Sequence, residues 1–379
     1  MLRPCYHRQE FLLVPYYRKQ FSWVPARMAE DKSLHISASN IQVVGGIMKD
    51  VTIVVGTVGQ SIMRSEDNGQ TWARIGPRRG FAYEASVRCI AMHPKQHETL
   101  FAGTERGLYR SDDRGANWKY LDSALNPHYV WAIGIDPVNP NNMFVGTGTP
   151  TPAMLFASND AGKTWEKRPV EVANECEAVG TPRFTGIAVD PLEPNHIWAG
   201  LEVDGARHSS DGGKTWSIVD VTGRRDIHNV VVTGGPPKTV FIMANREIYA
   251  STDNGESWEA RDMQRCLPWE YPRKENYLRG IAVDPANPQR IFLSFGDFTP
   301  GTSGAIAQTQ DFGKSWKLLP LPVEPNSTMW TFGVNPDDSK TIFAASRYGY
   351  LYRSDDAGSS WTKLRRELSE IAAVCWLLN

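Results

Sequence analysis

Ser65-Glu66-Asp67-Asn68-Gly69-Gln70-Thr71-Trp72 is the first of seven copies of one pattern, S-x-D-x-G-x-x-W. The others begin at Ser111, Ser158, Ser209, Ser251, Thr309 and Ser354 and end on Trp118, Trp165, Trp216, Trp258, Trp316 and Trp361. Only Thr309 departs from the pattern, replacing serine. Asp and Ser side chains accept backbone N–H bonds across a tight turn, and the glycine supplies a positive φ that other residues adopt only under strain. The tryptophan then enters the next strand as a large apolar anchor with one donor to satisfy. The seven aspartates therefore read as turn architecture rather than chemistry.

A second motif interleaves with the first. It runs Cys89-Ile90-Ala91-Met92-His93-Pro94, Ile133-Gly134-Ile135-Asp136-Pro137, Ile187-Ala188-Val189-Asp190-Pro191, Ile281-Ala282-Val283-Asp284-Pro285 and Phe332-Gly333-Val334-Asn335-Pro336, with a copy lacking proline at Val230-Val231-Val232-Thr233. An apolar strand ending near Gly or Ala follows each. Every unit thus holds four strands, A to D, with the box on the C–D turn. Seven such units are the blades of a propeller. Large and small residues alternate along strand A (Ile133 and Ile135 against Ala132 and Gly134), so the large face of one blade fills the small face of its neighbour. The expected fold is all-β, a seven-bladed β-propeller of four-stranded antiparallel blades. Blade one begins with a B-like strand at Val51, and Glu370–Trp376 has strand A character with no box after it. The C-terminal strand is therefore expected to close the ring, which removes sheet edges.

The boxes resemble those of the BNR/Asp-box propellers, a superfamily that includes sialidases, xyloglucan-cleaving glucanases, sortilin-type receptors and photosystem II assembly-factor-like proteins. The resemblance covers roughly residues 48 to 379. It implies the fold firmly and the activity poorly, because members do different things. Sialidases carry six blades and a three-arginine clamp whose first arginine lies in a Phe/Tyr-Arg-Ile-Pro motif; that motif is absent here, so no sialidase residue is carried over. Xyloglucan-cleaving members pair two seven-bladed propellers around a cleft, whereas this sequence holds one propeller.

Of 379 residues, 41 are Lys or Arg and 42 are Asp or Glu, giving net charge −1. That balance leaves no footprint for nucleic acid or an anionic membrane. No apolar run is long enough for a membrane span. The N-terminus lacks a signal peptide's continuous apolar segment, since Phe11–Val14 stops at Pro15, so a cytoplasmic location is expected. Cys5, Cys89, Cys176, Cys266 and Cys375 match no zinc or disulfide spacing and are expected to be reduced. Residues 1–47 carry no box and read as an extension to a propeller spanning 48–379. Either the extension is a poorly ordered tail, or Met48 is the natural start.

Boxes mark one end of the ring, so the opposite mouth, built from B–C and D–A loops, is the candidate functional face. The longest interval between boxes contains Cys266–Tyr277, rich in aromatics and charge, followed by Gly296–Gly301. A second cluster joins Gly148–Pro152 to Asn174–Glu177 and Thr181–Arg183. Six residues before the strand A proline stand Arg88, Trp131, Thr185, Arg279 and Trp330. Arginine recognises carboxylates with two donors and an aromatic face stacks on a ring. With Arg183 and Arg347, these make a ligand-binding set of Arg88, Trp131, Arg183, Arg279, Trp330 and Arg347. The plain alternative pairs the arginines with Glu84, Glu175 or Glu324 in rim salt bridges. Acid–base candidates at the same mouth are Glu105, Glu202, Asp204 and Asp297, with His128 and His228. A carboxylate pair would suit glycoside hydrolysis, and an Arg/His/Tyr set elimination from a uronic acid. Pro94 between His93 and His97 argues against a helical metal pair; neither a metal nor a cofactor is expected. Two functions stay open: a propeller binding a saccharide or acidic small molecule, acting as hydrolase or lyase, and a non-catalytic scaffold binding a protein.

Overall fold

The computed structural model describes residues 49–176, 179–223, 225–263 and 276–379. The expected extension, Met48, Cys5, Cys266, Glu177 and most of the Cys266–Tyr277 loop lie outside the described residues.

Seven four-stranded antiparallel sheets form in the order the two motifs dictate. Blades two to seven run A to D in sequence, from Val87–Met92 at the start of blade two to Thr362–Lys363 at the end of blade seven. Blade one takes its inner strand from the other end of the chain. Ile371–Leu378 pairs antiparallel with Val51–Thr57, Val51 facing Leu378 and Val55 facing Val374. Trp376 is fully buried there and donates its indole N–H to the Gly333 carbonyl of blade seven at 3.1 Å. The expected closure is therefore the one formed.

Each box closes on itself. In the first, Ser65 Oγ accepts the Gly69 N–H at 2.9 Å and donates to Asp67 Oδ1 at 2.8 Å, while the Thr71 N–H and hydroxyl donate to the two Asp67 oxygens at 2.8 and 2.6 Å. Thr309 repeats the serine's role, accepting from Gly313 N–H at 3.0 Å. The residue before the box glycine also takes positive φ, as at Asn68 (62°) and Arg114 (58°). The A–B turns at the same end close in a similar way. Asp136 Oδ1 accepts two backbone N–H groups (2.8 and 3.0 Å), and His93 Nδ1 does the same for Lys95 and Gln96.

Blades interlock through small residues. A Cβ at Gly134 would meet Ile187 of the next blade at 2.5 Å, and one at Gly146 would meet Phe184 at 2.3 Å. Cys89 and Cys375 lie in this packing as free thiols, pushed up to about 12 by burial. Among the described residues no helix is long and apolar enough to cross a membrane.

Candidate functional site

The inner strands share one irregularity. In all seven, the pairing with strand B skips one residue at the same place, and the skipped residues are Arg88, Trp131, Thr185, His228, Arg279, Trp330 and Ala372. A bulge breaks the ladder locally and re-aims its side chain. Here it turns seven side chains toward the axis, where all seven line a central cavity of about 240 Å³. Counting six residues back from the proline lands on this bulge, so the sequence alignment found five of its members. His228 and Ala372 belong to the two strands without the proline.

A second tier stands two residues earlier on each strand: Ser86, Tyr129, Arg183, Asp226, Tyr277, Thr328 and Glu370. Arg183, Asp226 and Tyr277 help line a wider outer space of about 500 Å³, which opens above the first and shares Arg88, Trp131, Arg279 and Trp330 with it. Phe298 and Thr299, from the B–C loop of blade six, reach the same rim.

The six expected ligand-binding residues form two like groups. The guanidinium carbons of Arg88 and Arg183 lie 4.6 and 4.5 Å from the Trp131 ring centroid, and those of Arg279 and Arg347 lie 4.3 and 4.1 Å from that of Trp330. Each indole thus holds two cations by its π face. The same contacts occupy the face on which a sugar would stack.

One carboxylate partner, Glu202, is an acid–base candidate of the sequence; the other, Glu370, is not among the candidates. Arg347 pairs with Glu370 at 2.6 Å and Arg88 approaches the same oxygen at 3.7 Å, while Arg183 pairs with Glu202. Glu324 instead accepts the Ser303 hydroxyl at 3.0 Å. The rim bridges to Glu84, Glu175 or Glu324 are replaced by pairs to Glu202 and Glu370. Arg88 also donates to the Tyr129 hydroxyl at 2.8 Å. Arg279 differs from the other three. Its Nη1 is buried with no hydrogen-bond partner, and no carboxylate forms an ion pair with it among the described residues. A buried guanidinium N–H without an acceptor is costly, and a bound anion would complete it.

The acid–base candidates part company. Glu202 and His228 come together at the mouth, joined by Asp226, whose Oδ1 lies 3.4 Å from His228 Nε2. These three could hold a metal ion, since their donor atoms lie within 4.8 Å of one another. The others serve local structure. Asp297 accepts from Thr302 N–H and hydroxyl (2.9 and 2.8 Å) and closes its own loop; Asp204 pairs with buried Arg207 at 2.8 Å; Glu105 accepts the Ser86 N–H at 2.8 Å. His128 is buried against Phe156, its ring centroids 5.2 Å apart, and burial lowers its pKa.

Charge at the mouth is four guanidiniums against three carboxylates. Burial alone would raise Glu202, but the Arg183 bond and the Arg279 charge hold it below the usual carboxylate range. Asp226 is likewise pulled down, against burial, by His228, Arg279 and Arg183. Burial lowers Arg347, opposed by Glu370, and raises the Tyr277 hydroxyl. Hydrolysis of a glycoside needs one carboxyl kept protonated as an acid; Glu202 and Asp226 are both shifted the other way.

Residues 60–184 match the family described as sortilin, neurotensin receptor 3, and residues 131–266 match the photosynthesis system II assembly factor YCF48 family. Curated relatives include a xyloglucanase of Hypocrea jecorina, 33% identical over 77% of this chain and 39% of that protein. A probable oligoxyloglucan-reducing end-specific xyloglucanase of Neosartorya fischeri is 25% identical over 72% of this chain and 39% of that one. The GH74 xyloglucanase of Xanthomonas campestris superposes with a TM-score of 0.55 at 20% identity, covering 73% of this chain and 45% of its own, a likeness of fold alone. The chain spans about two fifths of the length of the curated relatives it matches. The molecule is a seven-bladed Asp-box propeller. It belongs to the BNR-type propeller superfamily, alongside the sortilin, assembly-factor and xyloglucanase propellers.

Proposed function

We propose that this propeller binds an acidic ligand, a carboxylate-bearing saccharide or a similar small acid, at the channel mouth, and does so without hydrolysing it. The observation that carries this reading is Arg279: it is held over Trp330 at 4.3 Å, and its buried Nη1 lacks a partner. A bound carboxylate supplies that partner through charge-assisted hydrogen bonds. Saccharide chemistry is favoured by the xyloglucanase relatives. Acidity is favoured over neutral xyloglucan because arginines occupy the indole faces. The low-lying Glu202 and Asp226 carboxyls offer no general acid.

A thermal-shift screen of the full chain against neutral and acidic saccharides, with Arg279→Ala alongside, tests the proposal. A ligand at a hundred times its Kd stabilises the fold by about 2.7 kcal/mol. Stabilisation by acidic members only, lost in the variant, supports the reading; stabilisation by neutral members that survives in Arg279→Ala overturns it.

A second reading, a scaffold that binds a protein partner, draws on the assembly-factor match and on aromatic exposure at the same rim. Phe298 is 61% exposed and Tyr348, on the next blade's B–C loop, 46%. It predicts no response across the saccharide library, and loss of partner capture when Phe298 and Tyr348 are replaced by serine.

A further inference from the structure

We propose that Glu202, Asp226 and His228 form a binding site for one divalent transition-metal ion, of the zinc or manganese class, on the wall of the channel mouth. Glu202 ends strand B of blade four, Asp226 lies in the connection to blade five, and His228 sits on that blade's inner strand. Three donors on two rigid, adjacent blades converge to within 4.8 Å of one another.

The hydrogen bonding of His228 identifies its ligating atom. Nδ1 lies 2.5 Å from the Leu278 carbonyl oxygen. A carbonyl only accepts, so Nδ1 carries the hydrogen. This is the outer contact that orients metal-bound imidazoles and leaves Nε2 as ligand. The side chain is only 1% exposed. Nε2 faces Asp226 Oδ1 at 3.4 Å, and that oxygen is itself buried without a hydrogen-bond partner. With the hydrogen on Nδ1, Nε2 presents a lone pair to that oxygen, and a cation bound by both satisfies the two atoms together. Glu202 adds a second carboxylate: Arg183 takes Oε2, leaving Oε1 for a cation.

One imidazole and two carboxylates are the nitrogen and oxygen donors that zinc and manganese accept. Three protein ligands leave coordination positions open toward the outer cavity. The Arg183 and Arg279 charges, which act on both carboxylates, oppose the cation. An acidic ligand that neutralises Arg279 therefore strengthens metal binding, and by reciprocity the metal strengthens ligand binding.

The test is calorimetric titration of chelator-stripped full chain with zinc chloride, repeated with cobalt(II) as an absorbing substitute. One ion per chain is expected, with affinity falling at least about tenfold in His228→Gln and in Asp226→Asn. His196→Gln is the control, because His196 and His208, with ring nitrogens 3.0 Å apart, are another imidazole pair. Melting of the metal-free variants checks their folding. No binding heat and no cobalt spectrum in the wild type overturns the proposal; so does binding kept in both His228→Gln and Asp226→Asn or lost in His196→Gln.

Discussion

Arg279 projects its guanidinium over Trp330, 4.3 Å from the ring centroid, and leaves Nη1 buried without a partner. Arg279→Ala should weaken an acidic ligand by about 1.5–3 kcal/mol, the worth of a hydrogen bond to a charged group. Arg279→Lys should recover only part of this, because an ammonium lacks the planar fork. Direct titration of both variants checks the order.

Trp330 serves two arginines and is 9% exposed. Trp330→Phe keeps an aromatic ring and should keep the fold, but it provides a weaker π face for Arg279 and Arg347. Ligand affinity should fall with little change in melting temperature. A large drop in melting temperature with unchanged affinity would assign Trp330 to packing alone.

Glu370 restrains Arg347 and Arg88. Glu370→Gln removes one negative charge from the mouth, so an acidic ligand should bind tighter by about 1 kcal/mol at low salt, less at high salt. Titration at two ionic strengths checks the sign, which is opposite to that expected if Glu370 contacted the ligand as an acceptor.

The C-terminal strand closes the ring. Trp376→Ala should cost roughly 3–5 kcal/mol, as for other large-to-small changes in a core. Deleting the residues after Ser369 should abolish the cooperative melt. Scanning calorimetry decides, and a truncated chain that melts as the full one does would contradict the closure.

Box carboxylates predict acid sensitivity. Asp160 and Asp253 are held at about 2, first by hydrogen bonds from Thr164 and Ser257, and Asp67 is lowered in the same way by Thr71. A carboxyl whose folded value lies below its unfolded value, about 3.9, adds stability above that pH and loses it as pH falls through the folded value. Melting temperature should be flat above about pH 5 and fall between about pH 4 and pH 2. Asp160→Asn should make that fall shallower.

The fold was legible because the boxes carry their own physics: one serine or threonine, one aspartate and two left-handed residues close every C–D turn. The mouth was partly legible. Strand A prolines index the bulge, so Arg88, Trp131, Thr185, Arg279 and Trp330 could be read off one alignment column. Blade five lacks the proline, and blade one borrows its inner strand from the far terminus. Asp226 and Glu370, two residues before the bulge on those strands, therefore escaped notice. Loop position points to Glu105, Asp204 and Asp297, and the place just before strand A to His128, but neither reveals whether a side chain is already engaged. Asp297, closing its own turn, is such a case.

A mouth that recognises a carboxylate should distinguish an acid from its ester. Calorimetric titration with an oligogalacturonide and with its methyl ester isolates that charge while keeping the sugar. The acid should bind with an affinity that falls as salt rises and is lost in Arg279→Ala, and the ester should give no heat. Equal binding of acid and ester would contradict the account.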